Sequence, residues 1–173
     1  MRFYLSMILL LTVVGLPAQQ VDNLTVNFKI KNIGTYAKGS FSETSIEGQF
    51  DKNQLASSYL RALVAVKSVD TGIEKRDKHL LESDYFDQAT YPHIIFSSDR
   101  IVRRSEQLFT VYGTLEIKGT KQKTALDLTV FQQADNTLVR SEFEIRRKDF
   151  RVGSKSWILS DRVKAEIQFR VQW

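Results

Sequence analysis

Regular alternation of apolar and polar residues is the feature that most restricts what this chain can fold into. The last segment is the clearest example, since every second residue is apolar: Val163, Ala165, Ile167, Phe169, Val171 and Trp173. The residues between them are all charged or carry side-chain amides. Successive side chains of a β-strand point to opposite faces, so this period of two predicts strands buried on one side only.

The same period predicts strands along most of the chain. Residues 26–31, 111–118 and 139–146 alternate as clearly as the last segment, and further strands are predicted at 36–42, 45–51, 59–68, 94–102 and 123–132. Turn residues at Gly119-Thr120 and Asp135-Asn136 predict hairpins, which make neighbouring strands antiparallel. An open sheet of about eight such strands would leave two edges exposed, so we expect a closed all-β barrel that holds one slender ligand.

One segment, near residues 73–86, breaks the alternation. Ile73, Arg76, Asp77, Leu80 and Leu81 fall at helical spacing. We therefore predict a short helical insertion between two strands, placed to cap one end of the barrel.

The first residues have the pattern of a secretory signal. Arg2 precedes an apolar run, Leu5 to Leu16, and Pro17-Ala18 places a small residue before Gln19. We predict a signal peptide at residues 1–18, a single domain at 19–173, and a periplasmic or secreted location. A retained N-terminal anchor is the alternative.

Composition excludes several classes of chemistry. The chain has no cysteine, which removes disulfides, thiol catalysis, cysteine-based zinc sites and iron–sulfur clusters. The two histidines, His79 and His93, are too few to complete a typical metal site, and no catalytic triad spacing accompanies them. We predict no catalytic residue, no metal and no cofactor.

The basic charge carries less information about function. The formal net charge is +5, and the densest clusters are Arg103-Arg104 and Arg146-Arg147-Lys148. No nucleic-acid-binding motif accompanies them, so we predict no nucleic-acid partner. A solvated face is the simplest interpretation, and transient contact with an anionic membrane surface is the alternative.

The inserted segment also carries a family resemblance. The segments concerned are 68–72 (SVDTG), 75–80 (KRDKHL), 83–87 (SDYFD), 91–92 (YP) and 96–98 (FSS). In this run the sequence resembles the YceI-like family, the lipocalin-like polyisoprenoid-binding proteins. Looser similarity at 26–34, 39–41, 113–120 and 148–150 and in the final strand extends the resemblance over the whole domain. Asn32 departs from it, because many members carry histidine there.

The resemblance implies a lipocalin-like barrel that holds the tail of an isoprenoid lipid, of the quinone or polyprenol type, for carriage, storage or protection. The isoprenoid lipid is then the ligand, and the protein is not an enzyme. An outer-membrane β-barrel is the main alternative, because alternation alone does not say whether the apolar face points inward or towards lipid. A lipid-modifying enzyme is a further alternative. The sequence leaves monomer and homodimer open.

The predicted ligand-binding residues are the inward apolar side chains of the strands. They are Val26, Phe28, Ile30, Phe41, Val64, Val66, Phe96, Val111, Leu115, Leu128, Phe143, Ile145, Ile167 and Phe169, with Phe50 and Ile117 on the same side. For any one of them the alternative is ordinary core packing, because small barrels can fill themselves with side chains.

A second predicted group belongs to the inserted segment. It consists of Arg76, Asp77, His79, Asp84 and Phe86. Two roles are open for its polar members: contact with a ligand headgroup, or charge-assisted hydrogen bonds that tie a lid to the barrel rim. The second is the preferred interpretation.

Overall fold

The computed structural model describes residues 20–133 and 136–172, and it contains ten strands and one α-helix in these ranges. The strands are β1 Gln20–Asn32, β2 Thr35–Phe41, β3 Thr44–Gln49, β4 Tyr59–Ala65, β5 Val69–Asp70, β6 His93–Arg103, β7 Leu108–Ile117, β8 Thr120–Gln132, β9 Thr137–Arg146 and β10 Leu159–Gln172. The helix, α1, is Glu74–Leu81. The predicted signal peptide, 1–18, lies outside the described residues.

All ten strands belong to one antiparallel sheet, in the order β3-β4-β6-β7-β8-β9-β10-β1-β2-β5. The sheet curls round so that β3 lies beside β1, where the Thr44 hydroxyl donates a hydrogen bond to the Leu24 carbonyl. This confirms the predicted all-β, antiparallel, lipocalin-like barrel.

The strand count differs from the predicted eight or so because of how β4 ends. The alternation over 59–68 predicts one strand, but the strand stops at Ala65 and residues 66–68 form a 3-10 turn. The Ser68 hydroxyl closes this turn by donating a hydrogen bond to the Ala65 carbonyl at 2.7 Å. The chain then forms β5, whose two residues pair with the end of β2 and are too short to show a period.

Side chains fill one end of the barrel, which we call the packed half. Its cluster is Val21, Leu24, Phe50, Leu60, Ile101, Phe109, Val111, Leu128, Val130, Val139, Phe169 and Val171. The rings of Phe50 and Phe109 meet edge to face with centroids 5.2 Å apart. Phe109 and Val139 are 0% exposed, so this half of the interior is an ordinary close-packed core.

The predicted helical insertion lies at the other end, which we call the open half. It is confirmed as a helix but is shorter than residues 73–86, because the backbone becomes extended at Glu82. The Phe86 amide then donates to the Leu80 carbonyl at 3.1 Å and turns the chain back. Leu80, Leu81 and Phe86 pack against the buried cluster of Phe41, Val64 and Val69.

Candidate ligand cavity

The open half of the barrel encloses a cavity of about 1120 Å³. Its walls are apolar residues at alternate positions of four strands: Val26, Phe28 and Ile30 of β1, Leu115 and Ile117 of β7, Phe143 and Ile145 of β9, and Val163 and Ala165 of β10. The alternation of the sequence places these side chains inside, since residues i, i+2 and i+4 of a strand share a face.

A row of aromatic rings connects the cavity wall to the inserted segment. The Phe28 and Phe41 rings are tilted with centroids 5.5 Å apart, and Phe41 meets the edge of Phe86 at 6.3 Å. Tyr85 and Phe86 also pack against the buried cluster of Leu115, Ile117, Phe150 and Val152. The segment therefore covers the cavity with apolar side chains, as a lid would.

Two neighbouring charged residues of this lid segment converge on Thr71, just beyond β5. Arg76 donates from Nε to the Thr71 hydroxyl and from Nη2 to the Thr71 carbonyl, each at 2.7 Å. Asp77 accepts from the Thr71 amide at 3.0 Å and from the Thr71 hydroxyl. This arrangement is the one expected of residues that hold the helix against the sheet edge.

His79 also borders the cavity, but it is bonded within the lid segment. Its Nδ1 lies 2.7 Å from a carboxylate oxygen of Glu82, and its ring meets Tyr85 edge-on at 4.7 Å. His93 is exposed at the start of β6. Over residues 20–133 and 136–172, no three His, Cys, Asp or Glu side chains are grouped so that they could hold a metal ion.

Arg147 is a structural residue of the site that the sequence analysis missed. Its side chain is only 5% exposed, and Nη2 pairs with Asp161 at 2.9 Å. Nε donates to the Ser160 carbonyl, and Nη1 donates to the carbonyls of Val152 and Ser154, each at 3.0 Å. These bonds fold residues 147–161 over the cavity mouth. The sequence shows only a basic run at 146–148, with no sign that its middle member is buried.

The structure brings half of the predicted ligand-binding residues to the cavity. Those that line it are Val26, Phe28, Ile30, Phe41, Leu115, Phe143 and Ile145. Ile117, placed on the same side in the sequence analysis, lines it as well. Contact of these residues with a ligand stays a prediction.

The other seven do not border the cavity. Val111, Leu128 and Phe169 belong to the packed half, together with Phe50, and Phe96 and Ile167 pack against it. Val64 lies in the cluster beneath the lid segment, and Val66 is buried in the turn after β4. Alternation identifies the inward face of a strand, but it does not tell how far along the barrel a residue lies.

The predicted lid or headgroup residues also fall into two groups, those that border the cavity and those that do not. Arg76, His79 and Phe86 border the cavity, whereas Asp77 and Asp84 do not. Asp84 instead holds the loop through its backbone, since its carbonyl accepts from the Gly153 amide at 2.8 Å.

Further lining residues were not among the predicted ligand-binding residues. They include Ala37, Ile73, Leu80, Tyr85, Ile94, Phe150, Val152, Ile158, Leu159, Val163 and Ala165. The alternation of the last strand was a usable signal for Val163 and Ala165. Those in loops and in the helix have no comparable signal.

The outer faces of the strands are polar. Ion pairs join neighbouring strands there, such as Arg61 with Glu47 at 2.9 Å and Arg162 with Glu144 at 3.0 Å. Within the described ranges, no helix has the length and apolar character needed to cross a bilayer.

A curled antiparallel sheet with a polar outside, a packed half and a covered apolar cavity defines the class of lipocalin-like barrels. The sequence model of the YceI-like domain matches residues 19–172. The chain therefore belongs to the YceI-like family.

Relatives and solved structures agree with this assignment. Protein YceI of Escherichia coli O157:H7 is 28% identical over 134 residues, which are 73% of this chain and 70% of that protein. A UPF0312 protein of Vibrio cholerae serotype O1 is 30% identical over 69% of this chain, and the match spans 57% of that protein.

Among solved structures, BcnA of Burkholderia cenocepacia superposes with a TM-score of 0.81 at 26% identity, covering 85% of this chain and 95% of that one. A polyisoprenoid binding domain from Saccharophagus degradans gives a TM-score of 0.70 at 17% identity, covering 90% of this chain and 98% of that one. The latter likeness is one of fold.

Proposed function

We propose that this protein binds an isoprenoid lipid, of the quinone or polyprenol type, with its tail in the cavity of the open half. The observation that carries the proposal is the apolar wall that the strands present to a cavity of about 1120 Å³, which the lid segment covers. The Saccharophagus degradans protein of the same fold is a polyisoprenoid binding domain, which supports this ligand class.

The size and lining of the cavity suit a long tail. Typical pockets for small ligands are about 300–1,000 Å³, so this cavity is larger than most. If about 20 tail carbons were buried at about 0.8 kcal/mol each, the gross gain would be about 16 kcal/mol, from which the cost of ordering the tail is subtracted. Such a gain is sufficient for tight binding without any polar contact to the tail.

The distribution of polar residues favours this proposal over an outer-membrane barrel. A transmembrane barrel presents apolar side chains to lipid at its outer surface. Here Val163, Ala165 and Phe169 point inward, whereas the alternate residues Lys164 and Arg170 are exposed.

The role we propose is binding for carriage, storage or protection, rather than catalysis. His79, the histidine that borders the cavity, is held by Glu82 and Tyr85. A lipid-modifying enzyme is the alternative, and in it His79 would have to act on the ligand through Nε2, the ring nitrogen that is not bonded to Glu82.

We further propose that the protein is exported, with cleavage near Gln19, on the basis of the signal-like pattern at residues 1–18. N-terminal sequencing of the protein from the osmotically released fraction should begin at or near Gln19. Recovery of a membrane-bound species that begins at Met1 would contradict export with cleavage.

Native mass spectrometry of the freshly purified protein, followed by organic extraction, tests the ligand directly. We expect an added mass that disappears on extraction and is recovered as an isoprenoid. The extracted protein should then take up an isoprenoid quinone in preference to a fatty acid of similar length. Uptake of the fatty acid alone would exclude the isoprenoid assignment.

A further inference from the structure

The exposed apolar side chains are concentrated at one end of the barrel. Seven large hydrophobic residues are exposed in the described ranges: Ile33, Tyr36, Tyr59, Ile73, Phe131, Trp157 and Ile158. Of these, Ile73 and Ile158 border the cavity directly. Ile33 is bonded to Ile158 through its amide at 3.1 Å, and Trp157 is the residue before Ile158.

These residues form an apolar rim around the mouth, which we define as Ile33, Ile73, Trp157 and Ile158. Trp157 is 97% exposed, and Ile33 is 71% exposed. Isolated apolar residues are common on protein surfaces, but a group of this kind at the opening of a lipid cavity marks an interaction surface.

The charge around the rim indicates which partner fits it. Lys75 and Lys155 border the mouth and are exposed, and neither has an ion-pair partner within residues 20–133 and 136–172. Of the two acidic residues that border the mouth, Glu74 pairs with Lys78 at 2.6 Å, and a carboxylate oxygen of Glu82 lies 2.7 Å from Nδ1 of His79. The mouth therefore presents free cations beside exposed apolar side chains.

The packed half does not present the same combination. Phe131 and Tyr59 are exposed there, but neither borders the ligand cavity, and the guanidinium of Arg140 lies over the Phe131 ring at 5.7 Å from the centroid. Arg103 likewise lies over the ring of Phe109 at 5.6 Å. These arginines stack on aromatic rings of the same chain, so the packed end offers a basic surface without a comparable apolar rim.

We propose that the apolar rim docks on the surface of an anionic phospholipid bilayer. Tryptophan and isoleucine enter the interfacial region, and Lys75 and Lys155 meet the phosphate headgroups. Docking in this orientation places the cavity mouth against the bilayer. The inference deepens the proposed function, because it supplies the route by which a tail passes between membrane and cavity without crossing water.

Co-sedimentation with vesicles tests the docking. The full chain should bind vesicles of phosphatidylcholine mixed with phosphatidylglycerol, and bind vesicles of phosphatidylcholine alone much more weakly. The double variant Trp157→Ser/Ile158→Ser should lose most of this binding, while the matched control Phe131→Ser should keep it. Equal losses in the rim variant and the control, or equal binding to both kinds of vesicle, would overturn the proposal.

Charge reversal tests the cationic part separately. Lys75→Glu and Lys155→Glu should each weaken binding to the anionic vesicles about fivefold or more, since each basic residue contributes measurably near a charged surface. Lys52→Glu makes the same change of charge near the packed end, where Lys52 lies 3.5 Å from Gln132. A loss as large in Lys52→Glu as in the rim variants would mean that net charge, and not the rim, governs binding.

Tryptophan fluorescence reports the orientation. The sequence has two tryptophans, Trp157 and Trp173, so a Trp173→Phe background leaves Trp157 as the probe. Its emission should shift to shorter wavelength on anionic vesicles and be quenched by lipids with brominated acyl chains. Unchanged emission from vesicle-bound protein would exclude docking through the rim.

Failure of docking and failure of the proposed function are distinguishable. The vesicles contain no isoprenoid, so their binding does not depend on a ligand. When the extracted protein is offered a detergent-solubilised isoprenoid quinone, uptake measured by native mass spectrometry should be unchanged in Trp157→Ser, because Trp157 does not border the cavity. If the wild-type protein docks on vesicles but takes up no isoprenoid, the proposed ligand is wrong and the proposed docking surface is still supported.

Discussion

The ring of Phe28 lies directly against Gly39 of the neighbouring strand, so closely that a Cβ on residue 39 would clash with Cζ of the ring. The same Cβ would lie 2.9 Å from the Asp70 carbonyl oxygen, where β5 pairs with β2. Glycine at this position therefore leaves room for an aromatic wall residue of the cavity against the neighbouring strand.

Gly39→Ala should consequently displace the Phe28 ring or separate β5 from β2. We expect a loss of about 1–3 kcal/mol of folding stability, typical of overpacking, together with reduced lipid occupancy. Thermal unfolding and native mass spectrometry measure the two effects. Ser40→Ala, one residue further along β2, is the control; a Gly39→Ala protein as stable as this control would contradict the tight contact.

Narrowing the cavity should reduce binding without unfolding the protein. Ala37 lines the cavity beside Ile30, and Ala37→Phe would place a ring inside it. We expect affinity for an isoprenoid quinone to fall about tenfold, because the ring takes space that the tail needs.

The matched control for this change is Ala125→Phe, which adds the same ring on the exposed face of β8. It should leave ligand titrations unchanged. Normal affinity in a folded Ala37→Phe protein would mean that the tail lies elsewhere.

The two halves of the barrel should respond differently to the loss of a phenylalanine. Phe169 is 1% exposed in the packed half, and Phe169→Ala should cost about 3–5 kcal/mol of stability. Phe143 borders the cavity and is only partly buried, so Phe143→Ala should cost clearly less and alter the preferred tail length. Denaturant unfolding of both variants gives the comparison, and equal costs would contradict the division into halves.

The contacts at Thr71 predict coupling between two lid residues. Arg76→Ala and Asp77→Ala should each lower stability by about 1–3 kcal/mol and speed ligand release. Arg76→Ala leaves the partly buried Thr71 carbonyl without its donor, and Asp77→Ala leaves the Thr71 amide without its acceptor. The double variant should lose less than the sum of the two.

Thermal unfolding and ligand-release kinetics of the wild type, the two single variants and the double variant measure this coupling. If the stability losses of the two single variants simply add in the double variant, Arg76 and Asp77 do not act in one shared network. His79→Ala serves as the comparison and should change little, since its side chain is more than half exposed. An activity or bound metal that disappears in His79→Ala, with fold and lipid content intact, would favour the enzyme alternative.

The local pattern of residues was sufficient to predict the strands other than β5, their antiparallel pairing and the position of the helix. A period of two requires no knowledge of distant parts of the chain, and the spacing of Ile73, Leu80 and Leu81 marks the helix in the same local way. The end of β4 could not be predicted locally. There the Val66 amide donates to the Pro92 carbonyl at 2.9 Å, a contact that exists only because the chain returns past this point after the lid segment.

The sequence by itself determined which face of each strand is buried, and hence that the barrel has an apolar interior. Only the tertiary structure decided which part of that interior is filled and which is open. Phe28 and Phe169 are equally apolar and equally inward in the sequence, yet one lines the cavity and the other lies in the packed half. The difference arises from the neighbours that curvature of the sheet brings around each ring, because a space remains only where those side chains do not fill it.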